Sequence, residues 1–180
     1  MNELQECHRL VWAFRKEIET YWTTPDPLNS LRYAFCECAE AMDAWLRAER
    51  PSDSRNNDRD NDVLDELADC AIMLFTAMGQ DLIPTREFDK ELRGRFDSFG
   101  YHISVLLNKW PDAPTTDYIF IINLIANYPG MELKQRIQGR LARIAFKHMP
   151  LFKSAELIEK LQLPATNLPY NSVNHPLVNE

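Results

Sequence analysis

Two acidic pairs carry the chemistry that can be read from this chain: Glu37-Cys-Ala-Glu40 and Glu66-Leu-Ala-Asp69. A helix turns by about 100° per residue, so positions i and i+3 share one face. Two such helices packed antiparallel would gather four carboxylates at one place. Like charges that close repel unless a cation lies between them. An all-oxygen ligand set suits a hard ion, Mg²⁺ first and Mn²⁺ as the alternative. Ions held this way clamp phosphate oxygens and activate water. Zinc is disfavoured because no His or Cys completes a set at zinc spacing. A ferritin-like di-iron centre would need Glu-x-x-His, which does not occur in the chain.

Each pair alone also has a plainer reading as a solvated helix face. Asp62, Asp65 and Glu66 would in addition complement the dipole at a helix start. Asp69 lies beyond that first turn, where the dipole explains it less well. Both faces continue into small or apolar residues. Tyr33, Ala41, Ala44 and Ala48 accompany Glu37 and Glu40, which would leave room for a ligand to approach. Met73 and Ala77 follow Asp62, Glu66 and Asp69, which implies burial of that face. A cation site and two solvated faces both remain open on spacing alone.

The elements that must position these residues are helical. Apolar residues Leu4, Cys7, Leu10, Val11, Phe14 and Ile18 predict a first helix from about Glu3 to Trp22, stopped by Thr23-Thr-Pro-Asp-Pro27. A second helix, capped by Asn29 or Ser30, runs to about Glu49 with the stripe Leu31, Phe35, Cys38, Met42, Trp45 and Leu46. The run from Ser52 to Asn61 is a polar loop. A third helix spans about Asp62 to Met78, with Gly79 as its stop. A fourth extends from about Arg86 to Trp110 and bends near Phe99-Gly100. Thr116 caps a fifth, Asp117 to Asn127. The sixth, Glu132 to His148, buries Leu133, Ile137, Leu141, Ile144 and Ala145. A short helix follows around Ser154 to Leu161, then an irregular tail. No strand and no internal repeat is evident.

The sixth helix also carries the densest basic stripe, Lys134, Arg136, Arg140, Arg143 and Lys147. Beside a cation site, Arg140, Arg143 and Lys147 would take up remaining phosphate charge; otherwise they form a solvated face. Trp12, Trp22 and Tyr33 are candidates to stack on a base, with core packing as the alternative.

The 180 residues suffice for one domain with a sizeable core, and 26% charged with 45% hydrophobic residues is ordinary for a soluble protein. Five glycines favour helices over a glycine-rich phosphate loop. A net charge of −7 argues against nucleic acid as partner. The longest apolar run, Ile119-Phe-Ile-Ile122, is too short for a membrane span, and the polar, acidic start is unlike a signal peptide. Cys7, Cys36, Cys38 and Cys70 have no Cys-x-x-Cys spacing and fit a reducing compartment, so the expected location is cytoplasmic.

Glu37-x-x-Glu40-x-x-Asp43-Ala44, a linker, and Glu66-Leu-Ala-Asp69 followed by an apolar run resemble the MazG-like all-α nucleoside triphosphate pyrophosphohydrolases. The likeness covers about Leu31 to Met78. It implies an all-α helical bundle completed by dimerisation, as a homodimer or homotetramer. The core would be residues 1–80 plus 131–149 of a single domain, with 86–128 as a helical insertion and 162–180 as the tail. It implies Mg²⁺ on Glu37, Glu40, Glu66 and Asp69. The reaction would cleave a (d)NTP to the monophosphate and pyrophosphate, with Glu40 first in line to prepare the attacking water. Arg140, Arg143 and Lys147 would meet phosphate and Tyr33 the base. The Ala-Trp-Leu-Arg47 run and the polar loop are similar to phage-type members acting on dGTP and dATP. The chain departs from the pattern at Cys36, where many relatives carry a glutamate, and in the segment from Arg86 to Asn127. Two other functions compete: a non-enzymatic helical protein docking a basic partner on its acidic face, and a metal-dependent enzyme acting on another diphosphate.

Overall fold

The computed structural model describes residues 2–48, 59–82, 84 and 96–164. They form seven helices and no strand: α1 (Glu3–Ile18), α2 (Pro27–Ala48), α3 (Arg59–Met78), α4 (Phe96–Lys109), α5 (Thr115–Ala126), α6 (Leu133–His148) and α7 (Leu151–Lys160). The all-α expectation is met. The 52–58 part of the polar loop, the end of the second helix at Glu49, the Arg86 to Arg95 part of the fourth and the tail from 165 lie outside the described residues. No helix among those described is long and apolar enough to cross a membrane.

Local chemistry sets the helix ends. A reciprocal capping box starts α1: the Asn2 side chain accepts from the Gln5 backbone N–H at 2.9 Å, while Gln5 Oε1 accepts from the Asn2 N–H. The helix stops at Ile18 rather than Trp22, because the Glu19 carboxylate takes both the backbone N–H and the hydroxyl of Thr24 and folds the chain back. That turn frees Trp22 from the helix. The cap of α2 is Asp26, not Asn29 or Ser30: its Oδ1 accepts from the Asn29 N–H at 2.9 Å, with Pro27 in the first helical position, where no N–H is needed. Thr116 lies inside α5, which starts from Pro114 without a side-chain cap, and α4 passes through Gly100 without interruption. Gly79 ends α3 with φ +85°, as its position suggests.

The central element is α3. From Val63 to Met78 nearly every side chain is buried, because α1, α2, α5 and α6 all pack on it. Its closest partner is α2, which presents Leu31, Ala34, Cys38, Ala41 and Ala44. This corrects the expected stripe: Phe35 and Leu46 are exposed, at 42% and 45%. It also corrects the reading of Ala41 and Ala44, which are buried and let two helix backbones approach instead of leaving space for a ligand. From the other side α1 grips the end of α3: His8 Nε2 hydrogen-bonds the Gly79 carbonyl at 3.0 Å, and Trp12 Nε1 donates to the Phe75 carbonyl at 3.2 Å. The Phe75 carbonyl belongs to the last turn of α3, which lacks helical partners, and the Gly79 carbonyl lies just beyond it. Trp12 thus serves packing. The four cysteines are free thiols, with only Cys36 exposed.

Candidate metal and phosphate site

The α2–α3 packing that buries the alanines fixes the acidic residues at its margin. Glu37, Glu40 and Glu66 offer oxygens that all lie within 4.8 Å of one another. Glu37 and Glu66 are partly buried, and Glu40 is open to solvent. Burial, followed by the repulsion of Asp69, Glu40 and Glu66, pushes the Glu37 carboxyl up to about 8. Protonated Glu37 donates to Glu66, whose own carboxyl is raised by burial although Arg140 pulls it down. Burial first and the neighbouring acids second both disfavour the charged form of this carboxyl. Three convergent carboxylate oxygens are the donor type a hard divalent cation takes, so the residues present fit such an ion.

Asp69 is in the same cleft but has a protein partner. Arg140 donates to both its oxygens, from Nε to Oδ1 at 2.9 Å and from Nη2 to Oδ2. Burial pushes the Asp69 carboxyl up against Arg140's pull. Desolvation works to lower Arg140, yet bonding to Asp69 holds its guanidinium above the usual range. The expected four-carboxylate set is therefore gathered as three glutamates plus an aspartate held by an arginine.

The basic stripe of α6 is solvated only in part: Arg143 and Lys147 are exposed and Lys134 partly so, while Arg136 and Arg140 turn towards the acids of α3. Asp65, only 8% exposed, accepts from Arg136 Nη1 at 3.1 Å and from Arg143 Nη1 at 2.7 Å, with Arg140 Nη1 at 3.5 Å. Lys134 pairs with Glu6 on α1. The sequence reading attributed Asp65 to the helix dipole and passed over this role. The legible signal was complementary spacing: acids at 65 and 69 on one helix, arginines at 136, 140 and 143 on another.

These elements border a cleft of about 770 Å³, the size of a small-molecule site. At its carboxylate end lie Glu37, Glu40, Glu66 and Asp69; Arg140, Arg143 and Lys147 form one wall; Tyr33, half exposed, and Trp22 line the rest. Trp22 stacks on His148 with centroids 4.7 Å apart and planes within 6°. Burial, with Lys147 adding to it, lowers the His148 imidazole. His148, at the end of α6, was not among the expected residues, and nothing in its local sequence distinguishes it.

Comparison with protein-family models, with curated proteins and with solved structures yields no match.

Proposed function

We propose that this protein is a divalent-cation-dependent nucleoside triphosphate pyrophosphohydrolase that favours purine deoxynucleotides, dGTP and dATP. One observation carries the reading: three convergent carboxylates and the cationic side chains of Arg140, Arg143 and Lys147 line one ligand-sized cleft. Carboxylates alone would suit a basic partner, but Arg143 and Lys147, which line the same cleft, would repel one. An anion bridged to the carboxylates by a cation satisfies both sets of charges.

In this reading Glu37, Glu40 and Glu66 hold Mg²⁺ or Mn²⁺, with Asp69 joining them to the extent that Arg140 releases it. When bound, the ion supplies charge neutralisation for phosphate oxygens and acidifies water. The chain's own groups do the rest. Arg143 and Lys147 offset phosphate charge and orient the polyphosphate. Glu40, the most open of the three glutamates, accepts a proton from the attacking water. Water adds across the α–β phosphoanhydride, and monophosphate and pyrophosphate leave. Tyr33, half exposed, offers a flat apolar surface to the base. A second copy of the chain, as homodimer or homotetramer, would cover exposed Phe35 and Leu46 on α2, and light scattering on the purified protein tests this.

The decisive experiment is pyrophosphate release from the four dNTPs and four NTPs, with Mg²⁺ and with EDTA. Metal-dependent release with equimolar monophosphate, strongest for dGTP or dATP, is the expected result. No release from folded protein with Mg²⁺ or Mn²⁺ overturns the reading. Equal turnover of non-nucleotide diphosphates would move the substrate class elsewhere.

A further inference from the structure

Arg15 is the most deeply buried cation described. It is 1% exposed, and its Nε and Nη1 have no hydrogen-bond partner among the described residues. Its Nη2 reaches only the Met73 thioether, at 3.5 Å. The guanidinium carbon lies 4.6 Å from the centroid of the Trp22 ring. Burial pushes the guanidinium down to about 10, while Glu19 and Asp69 pull it back up from a distance. Glu19 itself is spent on Thr24 and Asp69 on Arg140.

For stability alone this is a poor choice of residue. A buried ion without a carboxylate partner pays its desolvation in full, and an unbranched apolar side chain of similar length commonly serves as well or better. The surroundings explain what is obtained instead. Trp22 and Met73 both line the cleft, and both touch Arg15. Trp22 sits in the irregular turn after α1: its backbone N–H donates to the Ile18 carbonyl at 2.9 Å, and its ring contacts both Arg15 and the stacked His148. A cation–π contact shielded from water is among the stronger ways to fix an indole. Arg15 belongs to α1, which packs on α3 and α6, so it ties the turn to the helical core.

We infer that Arg15 is a positioning residue: from behind the cleft it fixes the Trp22 ring, together with the His148 ring stacked on it, and the Met73 side chain as a preformed wall for a flat heteroaromatic group. The identity of that group as a nucleobase rests on the function proposed above; the bracing of Trp22 does not. The wall costs stability and lowers the ordering penalty of binding.

The test uses the full chain carrying Arg15→Met, with Trp22→Phe added to each background so that the Trp22 contribution to fluorescence is obtained by difference. In substrate-free protein, R15M should leave the Tm unchanged or higher and raise the acrylamide accessibility of Trp22 by about twofold or more. With the best nucleotide, KM should rise about tenfold while kcat stays within about twofold, the signature of lost binding order without lost chemistry. Unchanged Trp22 accessibility in R15M overturns the inference, whatever the Tm. If R15M does not fold, Arg15→Lys decides: its compact ammonium lacks the planar stacking surface, so Trp22 must become more accessible, and an unaltered Trp22 again refutes the role. Absence of nucleotide turnover by the wild type would sink the proposed function but not this inference, because the Trp22 readout needs no nucleotide.

Discussion

Replacing Glu37 by Gln should make the metal-free protein more stable at alkaline pH while removing its response to Mg²⁺. The Glu37 carboxyl moves from 4.5 to about 8 on folding, by burial first and then by its acidic neighbours. A folded-state value above the unfolded one means that the folded protein binds the proton more tightly. The associated stability is therefore complete below about pH 4.5 and drains away as pH rises towards about 8. At about 1.4 kcal/mol per unit, the loss by pH 8 is at most about 4 kcal/mol, and water in the open cleft screens it to about 2. Gln keeps the shape and supplies an N–H towards Glu66 in place of the shared proton, so it escapes this loss. For a chain of this length about 2 kcal/mol corresponds to roughly 4–8 °C in Tm. The assay is thermal unfolding in EDTA at about pH 5 and about pH 8, where the Tm gap between E37Q and wild type should open only at the higher value. Adding Mg²⁺ at the higher pH should raise the wild-type Tm, by about 2.7 kcal/mol of stability at a hundredfold excess over its Kd, and leave E37Q unmoved. Parallel pH profiles for the two proteins, or a less stable E37Q at the higher pH, would show that the carboxylates do not repel as argued.

Three further outcomes follow from particular contacts. Asp69→Asn leaves Arg140, partly buried, with only the 3.5 Å ion pair to Asp65, a carboxylate already shared with Arg136 and Arg143; urea unfolding should show a loss of about 1–2 kcal/mol, and the Arg140→Met/Asp69→Asn double variant should recover part of it. His8 is held below its ordinary value by burial despite its bond to Gly79, so its contribution is intact above the unfolded value of 6.5 and is lost as pH falls through the folded one. His8→Phe should flatten that acid limb at a cost of about 1 kcal/mol for the orphaned Gly79 carbonyl, read by chemical unfolding across the range. Gly79→Ala meets no atom within 4 Å, yet φ is +85°, so strain in the backbone alone should cost about 1 kcal/mol, and a loss near zero would contradict the left-handed helix end.

Much of the site was legible because periodicity transmits it. Three-residue spacing places Glu37 beside Glu40 and Glu66 beside Asp69 on any helix, whatever surrounds them. The apolar rows of α1 and α6 and the stop at Gly79 were readable for the same local reason. Helix starts were less so, since Asp26 and Asn29 are both competent caps and the choice depends on the Glu19–Thr24 turn that delivers the chain.

What only the tertiary structure decided concerns partners distant in sequence. One-dimensional patterning cannot say whether an arginine stripe faces water or another helix's acids; packing of α6 on α3 pairs Arg136, Arg140 and Arg143 with Asp65 and Asp69 while leaving Arg143 largely exposed. It also reversed the meaning of the alanines on α2, because small residues serve close helix contact and ligand access equally well until a neighbour is present. Trp22 and Arg15, seven residues apart, became one unit only when the chain turned after Ile18. The amino-acid types specified which charges and rings this protein owns. The fold alone determined which of them neutralise each other and which remain facing the cleft, since a Coulomb or stacking energy depends on separations that no local sequence contains.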